Sequence, residues 1–315
     1  MPRSDVPLSG FLNLDKPTGL TSRDVVNRVL RAFGKPKPKV GHAGTLDPLA
    51  SGVLVVAVGP ATRLIEQVQR QPKTYLATIL LGATSDTLDA DGTITPTLDP
   101  PIPSESQVCD ALASQVGTID QLPPAYSALR VEGKRAYDLA REGKAVELAS
   151  RPVRIDRIEL IRLDWPHLEI SVDCGAGTYI RSIARDLGDA LGCGGLIATL
   201  RRTRIGPFSV DDAIPPDPDL ITLDSIADRL LPPLAALADR PQLLLTPEQS
   251  AAICRGQAIP APADGLPSLS DTGPIALRSP DGSLLALAEL DPSSHTLHPR
   301  RVFAPPVPPR SSELT

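Results

Sequence analysis

No apolar run in this 315-residue chain approaches the ~20 residues that a membrane-spanning helix needs, so no membrane partner is expected. The segment from Met1 to Pro17 holds no apolar stretch of the secretory kind, and export is not expected. Cysteine is scarce: Cys109, Cys174, Cys193 and Cys254 lie far apart and form no CxxC pair. That spacing excludes a disulfide framework and a paired-cysteine zinc site, and it suits reduced thiols in a cytoplasm. No repeat recurs at a fixed period, which sets solenoids and propellers aside. Histidine offers no metal-ligating pair either. His42 has no second histidine nearby, and His295 and His298 fall among residues read as loop.

What is present reads as a soluble globular protein, with 41% hydrophobic and 22% charged residues. The length suggests one large domain with a smaller one attached. A net charge of -5 argues at first against a nucleic-acid partner, but its distribution argues back. Residues 1–75 carry eleven Lys and Arg against five Asp and Glu. Residues 76–129 carry seven acids and no Lys or Arg, and 130–157 return to eight basic against five acidic. Arg201, Arg202 and Arg204 form a further basic knot. Phosphate neutralisation is local, so the position of the positive potential decides, not its sum. Any one of these clusters is still more often an ordinary solvated face.

Along the chain, Val25, Val26, Val29, Leu30 and Phe33 fall at helical spacing, with Gly34 as the expected C-terminal cap. The stretch GKPKPK is loop. VLVVAVG and KTYLATILLG read as strands, and SQVCDALASQVG as a short helix. Residues 124–152 look inserted, being charged and bracketed by prolines. VRIDRIELIRLDW and HLEISVDCG read as paired strands, and TYIRSIARDLGDALG as a helix ending near Gly192. A boundary is expected within 231–241. After it come a Thr246 capping box ending at Gly256 and a hairpin around Pro280-Asp-Gly282. The tail from Ala304 reads as disordered.

The chemistry concentrates in Gly41-His-Ala-Gly-Thr-Leu-Asp-Pro-Leu-Ala-Ser-Gly52. Its glycines permit a tight backbone, and Pro48 pushes Asp47 away from helical geometry. A carboxylate on a constrained loop beside a buried strand can serve as a nucleophile. An Asp before Pro also commonly starts a turn, and the residues alone favour that reading.

This segment resembles the catalytic motif of the TruB family, bacterial synthases of pseudouridine 55 in tRNA. Further motifs follow in the same order: Leu14-Asp-Lys-Pro17 with Gly19 and Ser22, Lys73-Thr-Tyr75, Ser85 to Gly92, Pro123 to Leu129, Gly177 to Ser182, and Leu200-Arg-Arg202. The likeness runs from about residue 10 to 210 and weakly through 241–303. Six motifs in one order are far more specific than any one of them.

The resemblance implies an α+β pseudouridine synthase fold with a mixed, mainly antiparallel central sheet and flanking helices. It implies a catalytic domain over 1–240 with a thumb-like RNA-binding insert at about 124–152. A small PUA-like β domain over 241–304 and a tail at 305–315 would follow. The implied enzyme is a cytoplasmic isomerase, working as a monomer without metal, cofactor or protein partner. Its substrate would be the T-arm stem-loop of tRNA. By resemblance Asp47 attacks, at the ribose or at the uracil ring, and Arg181 pairs with it. Arg181 stands at a helix start, where a cation is electrostatically misplaced, and that favours a specific partner over a surface role. Tyr75 would stack on the flipped base and assist proton transfer, though a strand tyrosine is more often plain core. His42, Tyr179 and Leu200 would line the substrate site, and Lys16 and Arg63 would face the pocket or phosphates. Arg63 stands where lysine is also usual, and the C-terminal region departs most from the family pattern.

Overall fold

The computed structural model describes residues 8–126, 130–131, 134–135, 148–262 and 273–303. The expected thumb therefore lies largely outside the described residues, as does the tail from residue 304.

Strand β1 (Gly10–Lys16) is buried almost throughout and leads into helix α1 (Ser22–Ala32). Thr21 caps α1 in a reciprocal box with Asp24, which fixes the helix start, and Val25, Val26 and Val29 fill the core. The helix does not end on Gly34 as expected. Phe33 leaves it in extended conformation and turns its ring into the core, so no left-handed glycine is needed there. Strand β2 (Val40–His42) follows, then the Asp47 loop, then β3 (Ser51–Val58), where every residue after Ser51 is buried. A 3-10 turn and the short helix α2 (Ile65–Gln69) connect to β4 (Lys73–Leu81). After a small ladder of β5 (Ala83–Ser85) and β6 (Ile94–Pro96) come helix α3 (Glu105–Ala113) and β7 (Gly117–Gln121). Within the insert, β8 (Arg130–Val131) pairs with β9 (Lys134–Arg135). Then follow β10 (Arg151–Asp164), β11 (His167–Cys174), helix α4 (Ile180–Leu191), β12 (Gly195–Ile205) and β13 (Phe208–Ser209). Helix α4 ends on Gly192 at φ 70°, the left-handed cap the sequence predicts. Helix α5 (Leu223–Arg229) closes this part of the chain.

Among the described residues the large sheet runs β1-β3-β12-β4-β11-β10-β7, with β2 also on β3 and β13 on β12. Its pairings are antiparallel except β12 with β3, so the expected mixed, mainly antiparallel sheet is what forms. Helices α1, α3 and α4 cover one face and share a core with Leu54, Tyr75, Ile79, Ile170 and Leu200. No helix among the described residues is long and apolar enough to cross a membrane.

The chain does not leave this unit at Leu231. Leu231 exchanges backbone hydrogen bonds with Phe11, and Ala236 and Leu237 are buried against the opposite face of β1 and β3. A second sheet then forms from β14 (Gln242–Leu244), β15 (Ile259–Pro260), β16 (Ile275–Arg278), β17 (Leu284–Asp291) and β18 (Thr296–Val302), with helix α6 (Pro247–Cys254) against it. Thr246 caps α6 as predicted, and β16 turns into β17 through Gly282 at φ 86°. Ala276, Leu284 and Leu287 of this sheet join the cluster around Phe11 and Leu237, so the small unit is seated on the large one.

Candidate active site

The fork between β2 and β3 positions the Asp47 loop. Its backbone is tied from several directions: Ala43 N donates to Val55 O (2.8 Å), and Gly19 N donates to Pro48 O (2.8 Å). The Ser22 hydroxyl both receives the Leu46 amide (2.8 Å) and donates to the Leu46 carbonyl (3.0 Å). Asp47 thus hangs from a loop fixed at both shoulders, with its side chain 39% exposed.

Arg181 meets it from the first turn of α4, Nη2 lying 3.1 Å from Asp47 Oδ2. The same guanidinium donates to the carbonyls of Thr87 (2.8 Å) and Tyr126 (2.9 Å) and stands 3.4 Å from Asp89 Oδ2. This explains how a cation is held at a helix start: both terminal nitrogens of the guanidinium have acceptors. Asp89 is buried, and burial pushes its carboxyl pKa upward against the opposing pull of the Thr87 hydroxyl and of Arg181. Sequence reasoning singled out the Ser85–Gly92 segment as a motif but gave Asp89 no role.

Around the pair lies a cavity of about 270 Å³, lined by residues that include Asp47, Tyr75, Tyr179, Arg181 and Leu200. Three further cations line it, Lys73, Arg151 and Arg202, against the single carboxylate of Asp47 among the described lining residues. Such a site suits one nucleotide unit with its phosphate better than an extended duplex. Tyr75 is buried, which pushes its hydroxyl pKa up and keeps it protonated, while the nearby Arg202 pulls the other way. Tyr179 caps α4, its backbone clasped by the Gln121 amide (2.8 and 3.1 Å), and the Arg151 guanidinium sits 5.1 Å over its ring. Lys73 was missed as a pocket residue. Its Nζ donates to Gln69 O (2.7 Å) and Gln71 O (2.6 Å), and burial lowers its pKa to about 8.

Four expectations need correction. Lys16 faces no phosphate: it is fully buried, and Nζ donates to the carbonyls of Pro17 (2.9 Å), Leu20 (2.7 Å) and Pro48 (3.4 Å). Burial lowers its pKa to about 8, with Asp47 opposing, so it braces the loop from below. Arg63 lies outside the cavity, donating to Val302 O (2.7 Å) and stacking on Phe303, 4.9 Å from the ring centre. The basic knot at 201–204 is also largely spent inside the protein. Arg201 grips Asp15 through both nitrogens (3.1 and 2.8 Å), and Arg202 is buried. His42 ends β2 and is not among the residues lining the cavity. Its Nδ1 is buried with no hydrogen-bond partner among the described residues, and burial lowers its pKa.

Residues 31–180 match the model of the TruB family pseudouridylate synthase N-terminal domain. Residues 181–236 match that of the tRNA pseudouridylate synthase B C-terminal domain. The chain belongs to the TruB family. Relatives named tRNA pseudouridine synthase B include one from Mycobacterium sp. (strain KMS), 46% identical over 90% of this chain and 93% of its own. Another, from Cereibacter sphaeroides, is 42% identical over 94% and 96%. Among solved structures, a Cbf5-Nop10-Gar1 complex contains a chain that is 27% identical with a TM-score of 0.70, covering 94% of this chain and 85% of that one. An H/ACA RNP bound to a substrate RNA containing 2'-deoxyuridine gives 25% and 0.69. As a TruB-family pseudouridine synthase this enzyme is an isomerase, and the match at 181–236 falls on α4, β12 and α5, within the large unit.

Proposed function

We propose that this enzyme isomerises uridine 55 in the T-arm of tRNA to pseudouridine, with Asp47 as nucleophile. The observation that carries the reading is the Asp47–Arg181 pair, 3.1 Å apart at the edge of a cationic cavity. Isomerisation requires breaking the glycosidic bond, turning the uracil and rejoining it through carbon. The reacting nucleotide has to leave its stack to reach Asp47, at a few kcal/mol of unstacking. Tyr75, Tyr179 and Leu200 supply the apolar walls for the extruded base. Arg151, the partly exposed cation of the lining, suits its phosphate, while Lys73 and Arg202 are buried behind it and held by backbone carbonyls. Arg181 pairs with the Asp47 carboxylate and orients it. Substrate choice rests on the relatives at 42–46% identity that are named for tRNA, against 25–27% for the chains of the H/ACA RNP and of the Cbf5-Nop10-Gar1 complex.

The test is to incubate a tRNA transcript with the protein in EDTA and map pseudouridine by chemical labelling. Wild type should modify position 55 alone. Asp47→Asn should leave the transcript unmodified while binding it as wild type does, because the change is nearly isosteric. Turnover by that variant, free of wild-type enzyme, removes Asp47 as the nucleophile; pseudouridine at another position corrects the substrate site.

A further inference from the structure

β3 has two partners on the side away from β1, and they part company. Its start pairs in parallel with β12 (Arg202 opposite Gly52), and its end pairs with β2 (His42 opposite Val56). Between those points, among the described residues, no strand pairs with β3 on that side. Val55 O is met by the Ala43 amide at the root of the Asp47 loop (2.8 Å). Val53 O is met by a side chain: Arg202 Nε donates to it at 2.8 Å, and Arg202 Nη2 reaches across to Gly44 O at 3.0 Å. A single guanidinium therefore fills the fork, with one edge on the sheet and the other on the loop.

The fit is close on the backbone side as well. Gly52 adopts φ 101°, and a Cβ there would lie 2.1 Å from the Arg202 carbonyl, so only glycine lets β12 come near enough. Arg202 is 2% exposed, and no carboxylate among the described residues pairs with it. On β4 its register partner is Tyr75, and both residues line the cavity. A buried, carboxylate-free arginine is expensive to keep, and here it touches both halves of the site.

We infer that Arg202 is a positioning residue for the isomerisation: it plugs the β2–β3 fork and fixes the Asp47 loop at Gly44 relative to Tyr75. This rests on the proposed roles of Asp47 and Tyr75. A planar fork is required, because one group must satisfy two carbonyls on different elements, Val53 O and Gly44 O, from nitrogens held in a fixed geometry. Misplacement of the nucleophile by about 1 Å is enough to lower a rate by about 100-fold. The loss should fall on the chemical step, since Arg202 is too buried to grip RNA directly.

The test compares full-length wild type, Arg202→Lys and Arg202→Met on one tRNA transcript. Single-turnover rate, tRNA affinity and melting temperature are measured for each. The proteins carry ζ-carbon-13 tyrosine, with the Tyr75 resonance assigned through Tyr75→Phe. We expect Arg202→Met to lose about 100-fold in single-turnover rate, with tRNA affinity close to wild type and a displaced Tyr75 resonance. Its Tyr75 titration should move further upward, because the guanidinium is the cation opposing burial there, Cys174 and Asp47 being the other ionisable groups near it. Arg202→Lys should recover part of the rate and part of the resonance shift. If Arg202→Met does not fold, the lysine variant carries the test: a wild-type rate and an unmoved Tyr75 signal overturn the inference. A folded Arg202→Met with wild-type rate overturns it as well. Wild type that makes no pseudouridine would instead sink the proposed function.

Discussion

Arg181 gathers two carboxylates and two carbonyls around one guanidinium, and removing it strands more than one partner. In Arg181→Met, Asp89 is left buried with only the Thr87 hydroxyl and a backbone amide, and Asp47 loses its ion pair. Truncating one partner of such a buried network costs about 3–5 kcal/mol, against about 0–1 for an exposed pair. The carboxyl of Asp89 already has a raised pKa, and losing Arg181 removes a cation that holds it down, so it rises further. A buried carboxyl with a raised pKa favours the fold only while it is protonated, so the variant's melting temperature should fall as pH climbs, and its turnover should stay low throughout because Asp47 has lost its partner. A pH–rate profile with thermal denaturation checks both effects, and Arg181→Lys should restore only part, lacking the two-edged grip. Near-wild-type turnover of Arg181→Met at neutral pH would remove the pair from the mechanism.

At the scale of elements, the Asp47 loop is a set of close approaches that only certain glycines allow. Gly52→Ala would drive a Cβ into the Arg202 backbone, 2.1 Å from its O and 2.9 Å from its C and N, so β3 and β12 must separate or the chain must misfold. Gly19 is a control: it also has positive φ (81°), yet a Cβ there meets nothing within 4 Å. Gly19→Ala should cost only the left-handed strain, about 1–2 kcal/mol, whereas Gly52→Ala should yield little soluble protein. Melting temperatures and expression yields of the two variants test this, and equal behaviour would disprove the close approach. These elements also mark how far the sequence could be read. Strands β3, β4, β10, β11, β16 and β17, helices α1, α3, α4 and α6, and the Gly192 cap were legible, because period and caps are local properties, whereas β1 and the central β12 were not read as strands. Asp47 and Arg181 were legible only through their motif neighbours. Arg202, Asp89 and Lys73 were not, since their meaning lies in acceptors such as Val53 and Gly44, some 149 and 158 positions from Arg202. Lys16 was misread for the same reason: a lysine's charge shows in the sequence, but the roof of carbonyls that encloses it does not.

For the whole molecule the question is where an acidic protein would find the charge to hold RNA. The structure narrows the candidates. Arg201 is committed to Asp15 and Arg202 to backbone carbonyls, so the 201–204 knot contributes little free positive potential. Arg63 is occupied by Val302 and Phe303. Among the described residues, 35–39 is a basic stretch open to solvent, with Lys35 and Lys37 both exposed. A cation that neutralises a phosphate releases condensed counterions, so log affinity falls linearly with log salt, and each lost contact reduces the slope by ~1. Binding of a tRNA transcript should therefore weaken steeply with salt. Lys37→Ala should lower affinity while making the slope shallower by about one phosphate contact. Arg201→Ala should leave the slope nearly unchanged, because its charge is already neutralised within the fold, though it exposes Asp15 beside the sheet and lowers the melting temperature. Filter binding over a range of potassium chloride for the three proteins decides between them. A slope that drops for Arg201→Ala and not for Lys37→Ala would mean that the Asp15 pair opens on binding and that the RNA runs over β12 instead.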